Sequence, residues 1–367
     1  MKQLPLLLTV FLQLGVLTLT RAQTSAQSAS QRARTQLYQD HIAAATPPLK
    51  AVAPLLYLAS DQLKGRYIGR PEIDTAALYI ANQFREAGAK TVPGATGYFQ
   101  RFTHSFTTPV TGKSDTGSKP RQLSLRNVLA YVPGTDPKLR DQFIALTSHY
   151  DHLGVDPQPK MEEGKLDSIY NGARDNATGT AAVIDAARYF ARYPSKRSIL
   201  FITYTAEEEG LIGSDYYAAH PLVPIKQTVY NLNIDNASYD DTTLISLVGL
   251  HRTSEDSLII SACAAYGLTV NGDPTGGSLF YESDNTPLAQ KGVPAPTYSL
   301  GMRAFDSTIT NRYHRLSDET GNMDLHYVLK FIRAYILAAK YIADDAAQPR
   351  WTKGDEFEKA WLSLYPQ

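Results

Sequence analysis

The 367-residue chain has one cysteine, Cys263. A single thiol excludes an intramolecular disulfide and any cysteine-built metal site, so a metal here must be held by His, Asp and Glu. Its setting, Ile259-Ile260-Ser261-Ala262-Cys263-Ala264-Ala265, reads as a buried helical position, where the thiol serves as a small core hydrophobe rather than a nucleophile. Net charge is also missing, since 36 acidic and 36 basic side chains cancel. With no global field, and no run of Lys and Arg interleaved with aromatics to make a local one, nothing in the chain points to nucleic acid. After the N-terminus no segment is long and apolar enough to span a bilayer. No internal repeat is found.

What is present begins with Met1-Lys2, an apolar stretch from about residue 4 to 20, and the small-residue site Thr20-Arg21-Ala22. This reads as a secretory signal over residues 1–22, removed in a secreted or periplasmic protein. An uncleaved anchor is the alternative, against which Gln13 and several Thr weigh. Residues 23–36, rich in Ser, Ala, Gln and Arg, form a polar leader, and residues 37–367 are expected to form a single domain.

A loop rich in Gly and Arg (Gly65, Arg66, Gly69, Arg70) precedes a helical pattern at 75–84 that stops at Gly88. Residues 111–121 read as a surface loop. Short β-rich runs then alternate with helices. Strands are expected at 127–132, 142–147, 199–204, 229–234, 244–248 and 295–300, with helices at 177–193, 214–219, 255–266 and 323–342. This order implies an α/β fold: a mixed, mostly parallel central sheet with helices on both faces.

The most informative stretch is Ala206-Glu207-Glu208-Glu209-Gly210, which follows the apolar strand at 199–204. Adjacent carboxylates at a strand end repel unless they are exposed or one of them binds a cation. Other polar residues sit at comparable places. His149-Tyr150-Asp151 follows the strand at 142–147, Arg174-Asp175-Asn176 precedes the helix at 177–193, Asn233-Ile234-Asp235 closes the strand at 229–234, and Tyr313-His314 with Asp318 lies before the last helix. In open α/β sheets, ligands bind beyond the carboxyl ends of the strands. Each residue also has an ordinary reading: His149 as a satisfied core histidine, Asp175 as a helix N-cap, Asp235 as a turn residue. Taken together, two His and three carboxylates suit zinc and are more than one four-coordinate ion with an open position needs. They suit two ions sharing a bridging carboxylate.

These motifs, His149-x-Asp151, Gly172-Ala173-Arg174-Asp175-Asn176-Ala177-Thr178-Gly179, Ala206-Glu207-Glu208-x-Gly210-Leu211-x-Gly213-Ser214, Asn233-x-Asp235 and Tyr313-His314 with Asp318, resemble those of the M28 family of co-catalytic zinc peptidases. The resemblance covers about residues 58–344 and implies a phosphorylase/hydrolase-like zinc peptidase architecture with two Zn2+ per chain. It implies Asp175 as bridging carboxylate, His149 and Asp235 on one zinc, and Glu208 and His314 on the other. Glu207 is then the general base, and Asp151 orients His149 through its other ring nitrogen. Tyr313 stands where the family often has an oxyanion-stabilising tyrosine, although a tyrosine beside a ligand could equally be packing. The implied activity is aminopeptidase hydrolysis of a peptide or aminoacyl-amide substrate.

Glu209 is expected to be a solvated surface carboxylate, and His152 to pack or line the rim. The sequons at Asn176 and Asn236 fall inside the proposed site and are treated as incidental. In Glu282-Ser283-Asp284-Asn285, Asn285 replaces the histidine usual in the family, which bears on substrate preference. A glutaminyl cyclase would not need the second ligand set, and a silent binding ectodomain would be expected to have lost ligands or the base. A carboxypeptidase would want a cation for the substrate carboxylate, for which Arg303 or Arg312 is available.

Overall fold

Largely apolar, buried runs make the middle of the molecule. In Ser198–Tyr204 every residue is buried, with Ile199 and Phe201 packed into one hydrophobic layer and Leu200, Ile202 and Tyr204 into another. A strand's side chains alternate between faces, so burial on both sides requires a covered sheet, and this is why the strands read as continuous rather than alternating apolar runs.

The computed structural model describes residues 29–106, 121–162, 164–236 and 241–366. The expected signal at 1–22 and all but the last residue of the loop expected at 111–121 lie outside the described residues. Residues 29–36 of the expected polar leader belong to a helix that runs from 29 to 45.

The strands are β1 (Phe99–Phe106), β2 (Arg121–Val132), β3 (Phe143–His149), β4 (Gly154–Glu162), β5 (Lys165–Tyr170), β6 (Ser198–Tyr204), β7 (Thr228–Ile234), β8 (Leu244–Val248), β9 (Thr269–Asn271) and β10 (Thr297–Leu300). Eight form one sheet in the order β1-β2-β6-β3-β7-β10-β8-β9, while β4 and β5 form a separate hairpin. β6, β3, β7 and β10 run parallel, as do β8 and β9, and β1-β2, β2-β6 and β10-β8 are antiparallel. The mixed, mostly parallel α/β sheet expected from the alternation of elements is thus observed.

Helices Pro48–Leu58, Pro71–Ala87, Gly179–Arg192, Asp256–Ala265 and Leu325–Asp344 cover one face, and Ile212–Ala219 and Asn285–Gln290 the other. Their ends follow local chemistry. Pro71 opens its helix four residues before the expected start, with Glu72 and Asp74 in the first turn and Gly88, at φ 86°, closing it. Asp324 accepts from the N–H groups of His326 and Tyr327 at the start of the long C-terminal helix. Cys263 is fully buried on its helix, as expected. Among the described residues no helix is long and apolar enough to cross a membrane.

Candidate metal centre

β6, β3 and β7 are neighbours and parallel, so their carboxyl ends open on the same side. β3 ends on His149, β6 is followed by Glu207 and Glu208, and β7 by Asp235. Asp175 arrives from a tight turn, Ala173–Thr178, that precedes the helix Gly179–Arg192. His314 comes from the loop after the short helix Ser307–Thr310, held at φ 56° in the left-handed region. Five separate segments therefore meet beyond three strand ends.

Asp175 lies between the two histidines. Its Oδ1 is 3.1 Å from His149 Nε2 and its Oδ2 is 3.2 Å from His314 Nε2. His149 Nε2 is also 3.4 Å from Asp235 Oδ1, and His314 Nε2 is 3.1 Å from Glu208 Oε2. Zinc bonds to N and O of about 2.0–2.2 Å separate tetrahedral ligands by roughly 3.3–3.5 Å. Both groups are close to that spacing, so the donor set fits a cation in each.

The charges make the same point. Against the cost of burial, Glu207, Asp175 and Asp235 raise His149 well above its ordinary range. Asp175 and Glu208 likewise raise His314 to about 10. Glu208, despite burial and repulsion from Asp175, is held at about 2 by His152 and His314. The carboxylates thus draw a positive charge onto each imidazole, and a divalent cation in each group would supply that charge while leaving both rings neutral ligands. Glu207 is different. Burial raises it well above the ordinary glutamate range, and Asp235, Asp284 and Glu208 push it further against the pull of His149. It lies 3.9 Å from His149 through Oε2, close enough to share the site and perturbed in the way a proton carrier needs.

One expected contact, that of Asp151 with His149, differs in the structure, and His152 has a more specific place than expected. The Asp151 carboxylate stands 3.8 Å from His149 Nδ1, and the ring nitrogen meets the Asp151 backbone carbonyl instead, at 3.2 Å. That carboxylate accepts from the backbone N–H groups of Glu207 and Glu208. Ala206, at φ 57°, reverses the chain after β6 and brings both N–H groups to it. His152, expected to pack or line the rim, is fully buried, with Nδ1 2.6 Å from Glu208 Oε1. His152, Asp175 and Glu208 could hold a metal by proximity, as could His149, Glu207 and Asp235. A separation of 2.6 Å is a direct hydrogen bond and is shorter than two ligands of one ion allow, so His152 fits as a donor to Glu208 and His314 as the second nitrogen at that position. Gly172 must lack a side chain to admit the ring, because a Cβ there would stand 2.5 Å from His152 Cδ2.

Arg174 and Asp318, named in the motifs without a role, complete the frame. Both Asp318 oxygens accept from Arg174 N–H at 3.0 Å, and Oδ2 also accepts from Asp175 N–H at 3.1 Å, while the Arg174 side chain returns to Asp318 Oδ1. The spacing of Asp318 from His314 was the available signal. Tyr313 stacks on the His314 ring with centroids 3.9 Å apart, and burial followed by the nearby carboxylates raises its hydroxyl far above the ordinary tyrosine range, so it remains a donor. Glu209 is half-buried rather than fully solvated. Asn176 and Asn236 are buried and hydrogen-bonded to each other, which leaves no room for a glycan. Asn285 is buried and donates to Ala295 O. Arg303 is engaged by Asp241, and Arg312 donates to Ser317 O. Beside Asp235 and Tyr313 a recess of about 60 Å³ is walled by Val248, Leu279, Met302 and Phe305 together with Glu282, Ser283, Thr297 and Ser299.

Residues 127–339 match the profile of peptidase family M28. Aminopeptidase YwaD of Bacillus subtilis is 28% identical over 163 residues, 43% of this chain and 32% of that protein. A probable zinc metalloprotease of Phaeosphaeria nodorum is 25% identical over 291 residues, 77% of this chain and 53% of that one. The chain thus spans between a third and about half the length of these curated relatives. Among solved structures, an aminopeptidase from Aneurinibacillus sp. strain AM-1 superposes with a TM-score of 0.61 at 16% identity, covering 84% of this chain and 97% of that one. The glutaminyl cyclase of Porphyromonas gingivalis does so with a TM-score of 0.59 at 15% identity, covering 80% and 98%.

Proposed function

Starting from the fact that the chain belongs to peptidase family M28, we propose that it is a secreted or periplasmic aminopeptidase that holds two zinc ions and hydrolyses the N-terminal bond of a peptide or aminoacyl amide. The observation that carries this reading is Asp175, with one oxygen facing His149 and the other His314. His149 and Asp235 would hold one ion, Glu208 and His314 the other, and Asp175 both. When bound, the ions supply Lewis acidity that polarises a scissile carbonyl and acidifies a water.

The chain's own groups do the rest. Glu207, as the carboxylate, takes a proton from the attacking water and returns it to the leaving amine. Tyr313 keeps its hydroxyl proton and offers it to the oxygen of the substrate carbonyl as charge develops there. The backbone N–H groups of Glu207 and Glu208, fixed on Asp151, hold the two neighbouring glutamates to separate tasks. The recess beside Asp235 and Tyr313, apolar on the side of Val248, Leu279, Met302 and Phe305, receives the N-terminal side chain. Arg303 is engaged by Asp241 and Arg312 donates to Ser317 O, so each cation offered for a substrate carboxylate already has a partner.

The test is metal analysis combined with a substrate panel of aminoacyl amides, N-blocked peptides and glutaminyl peptides. Two zinc ions per chain, with hydrolysis of free amides and none of blocked peptides, is the expected result. One zinc per chain with cyclised glutaminyl product would replace this reading with a cyclase.

A further inference from the structure

Arg66 lies in a run of three residues with left-handed backbone, Lys64 at φ 41°, Gly65 at 65° and Arg66 at 48°. Such a run persists only where its surroundings hold it. Gly65 packs against the Gly154–Tyr170 pair at the base of the β4–β5 hairpin, where a Cβ would come within 2.4 Å of Tyr170 O and 2.5 Å of Gly154 O. From this wedge the Arg66 side chain enters the protein and is fully buried.

The guanidinium donates to four backbone carbonyls and, among the described residues, pairs with no carboxylate. Nε reaches Tyr150 O at 2.8 Å, Nη1 reaches Leu58 O at 2.5 Å and Asn171 O at 2.6 Å, and Nη2 reaches Gly172 O at 3.0 Å. The Arg66 carbonyl in turn accepts from His152 N–H. Tyr150 lies between His149 and Asp151, and Gly172 leads directly into the turn carrying Asp175. One planar group therefore spans the chain segment that supplies His149 and the turn that supplies the shared Asp175, and ties them to the helix Pro48–Leu58. Burial lowers Arg66 to about 10, with Asp151, Asp175, Asp318 and Glu208 acting to raise it, so the group is cationic at neutral pH. Its charge is balanced through space by carboxylates of the site.

We propose that Arg66 is a positioning residue for the metal centre, whose guanidinium sets the separation between the segment bearing His149 and Asp151 and the turn bearing Asp175. This rests on the metallopeptidase reading. A fork of five donors in one plane can serve four carbonyls at once; an ammonium cannot keep that geometry. Arg197 is the natural control. It too is buried and serves carbonyls, those of Ile342, Asp345 and Ala347, along with the Gln142 side chain, and it lies remote from the metal centre.

The experiment measures zinc affinity by chelator competition in the full chain for wild type, Arg66→Lys and Arg197→Lys, together with kcat and KM. The expectation for Arg66→Lys is zinc binding weaker by roughly 10–100-fold and a fall in kcat larger than any change in KM, with Arg197→Lys retaining wild-type affinity. Wild-type affinity in Arg66→Lys, or equal losses in both variants, overturns the proposal. Absence of zinc binding by the wild type would instead overturn the metallopeptidase reading. Should Arg66→Lys fail to fold, nitrogen-15 NMR of the wild type decides. Slow exchange of the Arg66 Nε–H after zinc is stripped is expected, and rapid exchange refutes a frame held by this residue.

Discussion

The Asp151 carboxylate accepts the backbone N–H of Glu207 at 3.2 Å through one oxygen and that of Glu208 at 3.3 Å through the other. A buried acid thus fixes the direction in which two adjacent glutamates leave the end of β6. Asp151→Asn places an amide NH2 against one of those N–H groups, leaving a buried donor unsatisfied. A fall in kcat of roughly 10–100-fold with zinc content retained is expected, read by steady-state kinetics and metal analysis on the same sample.

Glu207→Ala should keep both metal positions and lose turnover by several orders of magnitude, because it removes the proton carrier and leaves every proposed ligand. Single-turnover assays on zinc-loaded protein would reveal residual hydrolysis. Activity near that of the wild type would eliminate Glu207 as the base.

His152 holds Glu208 through Nδ1. His152→Ala is expected to weaken zinc binding by roughly 10–100-fold, whereas His152→Asn, whose amide can donate from nearly the same place, should recover most of it. Calorimetric titration of the stripped protein separates the two variants, and equal affinities would contradict the role.

Phe305 closes part of the recess beside Asp235 and meets Tyr313 edge-on. Phe305→Ala widens that wall. The ratio of kcat/KM between substrates with large and small apolar N-terminal side chains should change by roughly 10-fold, the scale of a few methylene contacts in a pocket. An unchanged ratio would place the N-terminal side chain elsewhere.

Away from the metal centre, Asp185 is fully buried and raised to about 7, chiefly by burial and against the pull of Arg188. The folded state therefore holds this proton over a pH range in which the unfolded chain, with its carboxyl near 4, has released it. Asp185 consequently contributes stability at low pH that is lost as pH rises from about 4 through about 7. Asp185→Asn should flatten this part of the stability profile and be the more stable form at pH 8, as urea melts across pH 4–8 would register. A wild-type profile that rises over the same window would refute it.

The parallel centre of the sheet was legible because β3, β6 and β7 are buried on both faces and so appear as runs rich in apolar residues, although β7 carries the buried Asn231 and Asn233. The antiparallel β1 and the β4–β5 hairpin were not. β4 and β5 carry Lys160, Glu162, Lys165 and Asp167 and bury little, so no apolar period marks them. The histidines and carboxylates of the candidate site were legible as residues at strand ends, and their family resemblance assigned each a role.

The sequence by itself determined which donors exist: one cysteine rules out thiolate sites, and His149, Asp175, Glu207, Glu208, Asp235 and His314 stand at the ends of recognisable elements. Only the tertiary structure decided how they divide the work. Which oxygen of Asp175 faces which histidine, the backbone reversal at Ala206 that turns the glutamate N–H groups onto Asp151, and the burial of His152 against Glu208 all depend on contacts between segments far apart in the chain. Such contacts follow from packing in three dimensions, and neither spacing nor local propensity along one strand or helix encodes them.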